Sequence, residues 1–315
     1  MAMAVPARHL PLRRAAAALG LHLGMLALCT LPAVAQPRPA NTAATCELEG
    51  GEDRTVTRVV DGETLLLDGG SEVRLIGALA PRGFDSAGGT GDWPLEGRAR
   101  EALDRLVASR GVRLAFAGRR TDRYGRLLAH VFSGAEGGRA WVQGEMLKLG
   151  LARAYALDGS AHCLAELIAH EAVARDARTG IWAETAYAVR SADDTAGLLR
   201  HAGTFQLVEG KVLGVSDVRG TAYINFGEDW RQDFTVVVRT AGRRSGAGSQ
   251  PGLVTDALVG RTIRVRGWIE RKGGPMVEVY HVAAIEPVAV EEAATADPPA
   301  GSARRRSRRR TDPGQ

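Results

Sequence analysis

The stretch VVDGETLLL, residues 59–67, reads as two short strands joined by a tight turn. Val and Leu favour strands, and Asp-Gly is a typical turn signal between them. The turn brings Asp61, Glu63 and Thr64 together, and their oxygens are the ligands that a hard cation such as Ca²⁺ prefers. Most Asp-Gly turns are only turns, so this signal depends on the segments around it.

Short strands and a few helices extend outward from this turn. Val-rich and Leu-rich runs between turn residues predict five strands, at residues 54–60, 64–68, 73–79, 112–117 and 127–132. Apolar residues at helical spacing predict three helices, which include residues 99–107, 142–149 and 164–172. This set predicts an α+β fold, in which a small closed β-barrel carries helices on its outside.

Two later segments add basic groups. Arg74 lies on the strand after the turn, and the segment TDRYGR, residues 121–126, places two arginines around a second turn. An isolated arginine is more often a surface charge. Guanidinium groups that fork around a phosphate, however, stabilise the charge that develops in phosphoryl transfer.

The chain resembles the staphylococcal nuclease-like (thermonuclease) family in segments that keep the family's order and spacing, namely VVDGETLLL, VRLIG, LAP, TDRYGRLLAHV, LGLARAY and ARTGIWA. The resemblance covers about residues 54–183. It implies a five-stranded oligonucleotide-binding (OB) barrel with three helices. It also implies Ca²⁺-dependent phosphodiester hydrolysis of DNA and RNA.

The same resemblance implies site residues. Arg74 and Arg126 match the two arginines that clamp the scissile phosphate, and Glu63 matches a carboxylate that holds calcium. The other residues placed at the metal or the substrate are Asp61, Thr64 and Tyr124.

Two positions depart from the family pattern. The family's strand end reads Gly-Ile-Asp-Ala-Pro-Glu, whereas residues 77–82 read GALAPR. Leu79 therefore stands where the family has a calcium-binding aspartate, and Arg82 stands where it has the glutamate proposed to activate water. Arginine stays protonated near neutral pH and cannot act as a general base, and a calcium site loses a ligand. We expect Arg82 to form a phosphate-binding patch with Arg74 and Arg126.

A second β-rich pattern follows the first. Five strands with a short helix before the fourth predict another small OB-like β-barrel. Strand alternation places Arg264, Arg266 and Trp268 on one face, where they would neutralise phosphates and stack on bases. The alternative is that the tryptophan packs in the core or at its rim and that the arginines are solvent-exposed charges. The predicted boundaries are 1–35 for a signal peptide, 47–185 for the nuclease-like domain, 186–202 for a linker, 203–288 for the OB-like domain and 289–315 for a disordered Pro/Ala-rich segment with an Arg-rich tail.

The N-terminal segment has the pattern of a cleaved signal peptide. Arg8, Arg13 and Arg14 precede an apolar run, and AVA at residues 33–35 follows it. We therefore predict an exported protein, periplasmic or secreted, with no membrane-spanning segment after cleavage. A twin-arginine signal at Arg13-Arg14 and lipid attachment at Cys29 are alternatives within this prediction.

Cysteine usage agrees with export. The chain has 3 cysteines, and cleavage after Ala35 leaves Cys46 and Cys163. A disulfide between them is favoured over two free thiols in an oxidising compartment. Sequence alone does not show whether the two residues come within bridging distance.

The basic charge of the chain is concentrated in its tail. The formal net charge is +5, and RRRSRRR at residues 304–310 contributes six arginines. Without that tail, its Asp312 and the three arginines of the leader, residues 36–303 have a net charge near −3. The tail predicts an arm for phosphate backbones or anionic surfaces, or else a solvated terminus.

The sequence therefore predicts an exported protein that binds DNA or RNA, with hydrolysis weak or lost. One alternative is an active Ca²⁺-dependent nuclease that uses a displaced carboxylate from Asp85, Asp92 or Glu96. Another is an envelope module that binds a protein through the second barrel, where FGEDWRQDF at residues 226–234 is rich in acids. Zinc-spaced histidines, a nucleophile elbow and a Gly-rich phosphate loop are missing from the sequence.

Overall fold

The structure is a computed structural model. It describes residues 46, 48–83, 94–108, 110–134, 139–156, 163–239 and 256–288. The predictions for the signal peptide, Cys29, Asp85, Asp92 and the arginine tail lie outside the described residues. No helix among the described residues is long and apolar enough to cross a bilayer.

The first half of the chain folds into short strands and three helices. The strands are β1 (Glu49–Asp61), β2 (Thr64–Leu67), β3 (Glu72–Leu75), β4 (Ala78–Leu79), β5 (Gly111–Phe116), β6 (Leu127–Ser133), β7 (Ala140–Trp141) and β8 (Arg153–Ala154). The helices are α1 (Pro94–Leu106), α2 (Val142–Lys148) and α3 (Leu164–Asp176).

Five of these strands close into a barrel, as the sequence predicts. The sheet runs β3-β2-β1-β5-β6-β7, and β3 also pairs with β6, which closes the ring. The closing pair is parallel, while the other pairs in the ring are antiparallel. Inward side chains such as Leu65, Leu75, Leu114 and Val131 are fully buried and fill the barrel. The strand pattern therefore predicts both the barrel and its core.

The helices cover the barrel through the apolar stripes that the sequence shows. Ala99 and Leu103 of α1 and Met146 of α2 are fully buried. Leu149, expected on the stripe of α2, is half exposed because the helix ends at the preceding residue. The stripe of α3 contains a buried charge, Glu171, where an apolar residue would be expected.

The second half of the chain forms a further β domain. Its elements are β9 (Arg190–Ser191), α4 (Thr195–Arg200), β10 (Phe205–Lys211), β11 (Gly214–Val218), β12 (Thr221–Asn225), β13 (Thr235–Arg239), β14 (Thr262–Lys272), β15 (Gly274–Val279) and β16 (Ile285–Pro287). The sheet order is β11-β12-β13-β15-β14-β10-β9. Only two residues separate β10 from β11, so the two act as one bent strand that pairs with β14 through β10 and with β12 through β11. The parallel pair β13–β15 takes the place that β3–β6 has in the first barrel.

Regular structure occupies the segment predicted as a linker, residues 186–202. Strand β9 pairs in parallel with β10, so the segment extends the second sheet. Helix α4 begins after Asp194, whose side chain accepts a hydrogen bond of 2.8 Å from the Gly197 N–H and caps the helix. The short strand and single-turn helix are too brief to produce a periodic signal in the sequence.

Cys46 and Cys163 form a disulfide, with their Cα atoms 4.5 Å apart. The bond joins Cys46, which precedes β1, to Cys163, the residue just ahead of α3, across a sequence separation of 117. The alternative of two free thiols is thereby excluded.

A buried histidine on β6 makes the first barrel sensitive to acid. Burial lowers the pKa of His130 to about 4, and both ring nitrogens lack a hydrogen-bond partner among the described residues. Between about pH 6.5 and pH 4 the unfolded chain binds a proton that the folded chain does not, so stability falls as the pH falls. We expect a loss of about 3 kcal/mol from this group over that interval.

His130→Leu should flatten this pH dependence, because it removes the titrating group without leaving a polar partner unsatisfied. Denaturant unfolding at several pH values measures the effect. His170→Leu, at a half-exposed position on α3, is the matched control and should leave most of the slope in place. An unchanged slope in His130→Leu would contradict the prediction.

Candidate functional site

The site is built around a buried carboxylate in the turn between β1 and β2. The Glu63 N–H donates to Asp61 Oδ1 at 2.9 Å, and the Glu63 carbonyl accepts from the Leu75 N–H at 2.8 Å. A side chain at Gly62 would meet the Cβ atoms of Ala80 and Ala99 at 2.8 and 2.9 Å. The turn is therefore pressed against the end of β4 and against α1, which places the Glu63 side chain in the interior.

Two arginines and a backbone amide bind the Glu63 carboxylate. Arg74 Nη2 lies 2.9 Å from Oε1, and Arg82 Nη2 contacts the same oxygen. The Ala80 N–H donates to Oε2 at 3.0 Å. Arg82 also lies 3.9 Å from Asp61 Oδ2. Both oxygens of Glu63 are thus engaged by donors of the chain itself.

Burial dominates the electrostatics of this centre. It raises the pKa of Glu63, and the guanidinium groups of Arg74 and Arg82 oppose that rise. Burial also raises the pKa of Tyr155, which lies beside Arg74, to about 12. Tyr155 is therefore a neutral phenol near pH 7 and does not serve as a base there.

The predicted metal ligands do not fit a calcium ion. Glu63 is bound by guanidinium groups, which repel a cation, and Thr64 Oγ1 is a single buried hydroxyl without a partner among the described residues. The side chain of Leu79 offers no oxygen. Over the described part of the chain, three or more His, Cys, Asp or Glu side chains nowhere converge as a metal would require.

Leu79 has a packing role. It is 7% exposed and belongs to a buried apolar cluster with Tyr155, Phe205 and Leu207. Phe205 and Leu207 lie on β10, so this cluster spans the two barrels. Where the family resemblance implies a calcium-binding aspartate, this chain has part of the contact between its barrels.

Arg126 is held within its own turn. Its side-chain Nε donates to Asp122 Oδ2 at 2.7 Å, and its backbone N–H donates to Asp122 Oδ1 at 3.0 Å. Partial burial works against ionisation of Asp122, but the hydrogen bonds from Arg126 and from the Tyr124 N–H outweigh it and lower the pKa. The expected patch of three arginines is therefore split: Arg74 and Arg82 share Glu63, while Arg126 pairs with Asp122.

The turn at residues 119–126 is exposed, basic and aromatic. It carries four arginines and one aspartate, and Arg119, Arg120 and Arg123 are exposed. Tyr124 is 67% exposed, and the Arg123 guanidinium lies 4.7 Å from the centre of its ring. We call residues 119–126 the arginine turn.

The second-barrel residues expected at a ligand face the first barrel. Arg266 is almost fully buried, and its Nη1 and Nη2 lie 2.9 and 3.0 Å from the two oxygens of Glu171 on α3. Nη1 also donates to the Ala154 carbonyl at 2.8 Å, and Nη2 contacts Glu286. Arg266 therefore has no access to a ligand.

Its neighbours on β14 are also engaged by the protein. Arg264 pairs with Glu209 at 2.8 Å. The Trp268 ring packs edge-on against Phe205 and Tyr155, with ring centres 4.9 and 6.1 Å away. Alternation correctly placed these residues on one strand face, where the first barrel covers Arg266 while Trp268 stays 41% exposed.

Glu171 is the functional position that sequence reasoning missed. It lies on the same helical stripe as Leu164 and Leu167, and all three are buried. A glutamate within an apolar stripe was the available signal, since a charge there needs a buried partner. Glu96, one of the three acids in the alternative of a displaced carboxylate, accepts the Gly83 N–H at 3.1 Å.

Comparison with known proteins bears on the first barrel. The model of the staphylococcal nuclease homologue family matches residues 72–184. A comparison with curated proteins found no match. The matched segment begins at β3, and β1 and β2 with the Glu63 turn complete its barrel. Residues 72–184 of this chain therefore belong to a staphylococcal nuclease domain, and membership of that family indicates nuclease-like nucleic-acid binding.

Proposed function

We propose that this protein binds nucleic acid through its first barrel and does not hydrolyse it. The observation that carries the proposal is the position of Arg82, whose guanidinium contacts the buried Glu63 carboxylate. The guanidinium bound to that carboxylate competes with any divalent cation for the same oxygen. Neither Arg82 nor the neutral Tyr155 can take a proton from water near pH 7.

The arginine turn is the proposed contact surface. Arg74 and Arg82 are largely neutralised by Glu63 and Asp61, so they attract phosphate weakly. The arginine turn instead has a net charge of about +3 from its sequence, and it is exposed. The open ring of Tyr124 adds a surface on which a base can stack.

We further propose that the protein works outside the cytoplasm, in the periplasm or the extracellular medium. The leader pattern supports export, and the Cys46–Cys163 disulfide supports an oxidising compartment. Protease protection of the protein in intact cells, compared with cells whose outer envelope is permeabilised, would test this proposal.

Activity and binding are separated by assaying the purified protein with fluorescent single-stranded DNA, double-stranded DNA and RNA. We expect salt-sensitive binding and no cleavage, with calcium or with chelator. Calcium-dependent cleavage that a chelator abolishes would overturn the loss of hydrolysis. The absence of binding at low salt to all three probes would overturn the proposed function.

Variants in the arginine turn test the surface. Arg123→Ala should weaken binding to all sequences alike and lower the slope of log affinity against log salt by about one. Tyr124→Ala should weaken binding to single strands by about 1–3 kcal/mol, with little effect on duplexes. Arg105→Ala, at an exposed position on α1, is the matched control and should change the affinity and the salt slope less than either variant does. Equal effects of all three variants would contradict the assignment.

A further inference from the structure

A groove of about 520 Å³ lies on the outer surface of the second barrel, within the described part of the chain. It crosses β11, β12, β13 and β15 and is bounded by the loop around Trp230 and by the turn between β14 and β15. None of the residues discussed for nucleic-acid binding lines it.

Strand register builds the floor of the groove. Ser216 pairs with Tyr223, Tyr223 with Val237, and Val237 with Glu278, so these side chains form one row across four strands. A second row runs parallel to it and consists of Asn225, Thr235 and Met276. At a spacing of about 4.8 Å between neighbouring strands, four strands span about 14 Å. The floor is thus long and carries hydroxyl, amide and carboxylate groups beside apolar ones.

The loop that carries Trp230 is fixed by its own hydrogen bonds. The Asp229 N–H donates to Asp233 Oδ2 at 2.8 Å, and Gln232 Nε2 donates to Asp229 Oδ2 at 2.7 Å. The opposite turn presses against this loop, because a side chain at Gly274 would meet the backbone of Gln232. The walls of the groove are therefore preorganised for a ligand.

The Trp230 ring is exposed at the rim of the groove. The indole is 59% exposed, and the Arg231 guanidinium lies 4.5 Å from its centre. A flat apolar ring beside hydroxyl, amide and carboxylate groups matches a ligand with apolar CH faces and many hydroxyls.

The charges of the groove distinguish between ligand classes. Asp233 and Glu278 line it, and Lys272, the one basic residue in the lining, pairs with Glu270 at 2.9 Å. A polyphosphate chain would be repelled by this excess of carboxylates. A cationic peptide would be repelled by the positive charge of Arg231 beside Trp230 at the rim. A neutral ligand meets neither obstacle.

We propose that this groove binds a neutral oligosaccharide. The indole of Trp230 packs on a sugar ring, and the polar rows of the floor donate to and accept from its hydroxyls. The site is separate from the arginine turn, so the protein has two surfaces for two classes of polymer.

Isothermal titration of the full-length mature protein tests the proposal. The probes are three neutral hexasaccharides: a β-1,4-linked N-acetylglucosamine oligomer, a β-1,4-linked glucose oligomer and an α-1,4-linked glucose oligomer. A single-stranded oligodeoxynucleotide is the polyanion probe. We expect at least one hexasaccharide to bind with a stoichiometry of one and the oligodeoxynucleotide to leave the groove empty.

Two groove variants and one matched control assign the site. Trp230→Ala should weaken hexasaccharide binding at least about tenfold, because a tryptophan that the ligand covers contributes much of the binding energy. Tyr223→Phe keeps the ring and removes one hydroxyl, so it should weaken binding by a smaller factor without risk to the fold. Tyr124→Ala removes an equally exposed aromatic ring from the other barrel and should leave hexasaccharide binding unchanged.

Three results would overturn the proposal. The first is failure of all three hexasaccharides to bind at millimolar concentration. The second is hexasaccharide binding that survives both groove variants, which would place the ligand elsewhere. The third is oligodeoxynucleotide binding that Trp230→Ala weakens, which would make the groove a nucleic-acid surface.

Discussion

Arg266→Met is expected to lower the free energy of unfolding by about 3–5 kcal/mol, the range seen when one partner of a buried ion pair is removed. Glu171 is fully buried, and among the described residues it would keep Arg175, at 2.8 Å, and the Ala154 N–H, at 2.6 Å, as donors. Its carboxylate would be left short of donors between the barrels. In thermal unfolding this loss corresponds to a drop of roughly 10 °C.

The double variant Glu171→Leu with Arg266→Met should recover much of that loss. It removes one positive and one negative charge together, and Arg175 remains 3.6 Å from Glu286. Replacing a buried ion pair by apolar side chains is often neutral or stabilising. A double variant no more stable than Arg266→Met alone would contradict this account of the pair.

Arg264→Met is the matched control. Arg264 lies two residues earlier on the same strand, and it pairs with Glu209 near the surface. We expect a cost of about 1 kcal/mol or less there. Similar losses of unfolding free energy from Arg264→Met and Arg266→Met would mean that burial does not determine how much the ion pair contributes to stability.

The same ion pair explains one limit of sequence reasoning. Strand alternation correctly grouped Arg264, Arg266 and Trp268, because a period of two depends only on the backbone. Whether that face meets solvent depends on the position of the first barrel, which no local pattern encodes. The arginines were therefore expected at a ligand, whereas Arg266 holds the two barrels together.

The site in the first barrel shows what a sequence motif predicts and what it does not. The sequence located Glu63, Arg74 and Arg82, and the family resemblance indicated that an arginine stands at the position of a carboxylate. It did not show that Arg82 would turn inward onto Glu63, because a long side chain has many conformers and burial selects among them. The barrel itself was predictable, since each strand carries its own apolar alternation and turn residues.

Arg82→Glu is expected to create a calcium site where the protein now has an ion pair. The change removes one of the two guanidinium groups from Glu63, leaving that of Arg74, and adds a third carboxylate beside Glu63 and Asp61. Without calcium, the crowded carboxylates should repel one another, and loss of the Arg82 guanidinium should raise the pKa of Glu63 further. The variant should therefore unfold at a lower temperature than the parent protein in chelator.

Calcium should reverse much of that loss, because a ligand that binds only the folded state stabilises it by mass action. At about one hundred times the dissociation constant the gain is about 2.7 kcal/mol. The measurement is the unfolding temperature in chelator and at Ca²⁺ concentrations up to roughly ten millimolar, above the range of weak extracellular sites. The parent protein should show no calcium-dependent shift.

Arg82→Gln separates the two effects of the substitution. It removes the same positive charge from Glu63 but adds no carboxylate, so its unfolding temperature should fall without recovery in calcium. If Arg82→Glu and Arg82→Gln respond alike to calcium, the carboxylates of the turn do not converge on one point. If only Arg82→Glu recovers, then Arg82 occupies the position of a cation, and the positive charge bound to Glu63 is supplied by the chain itself.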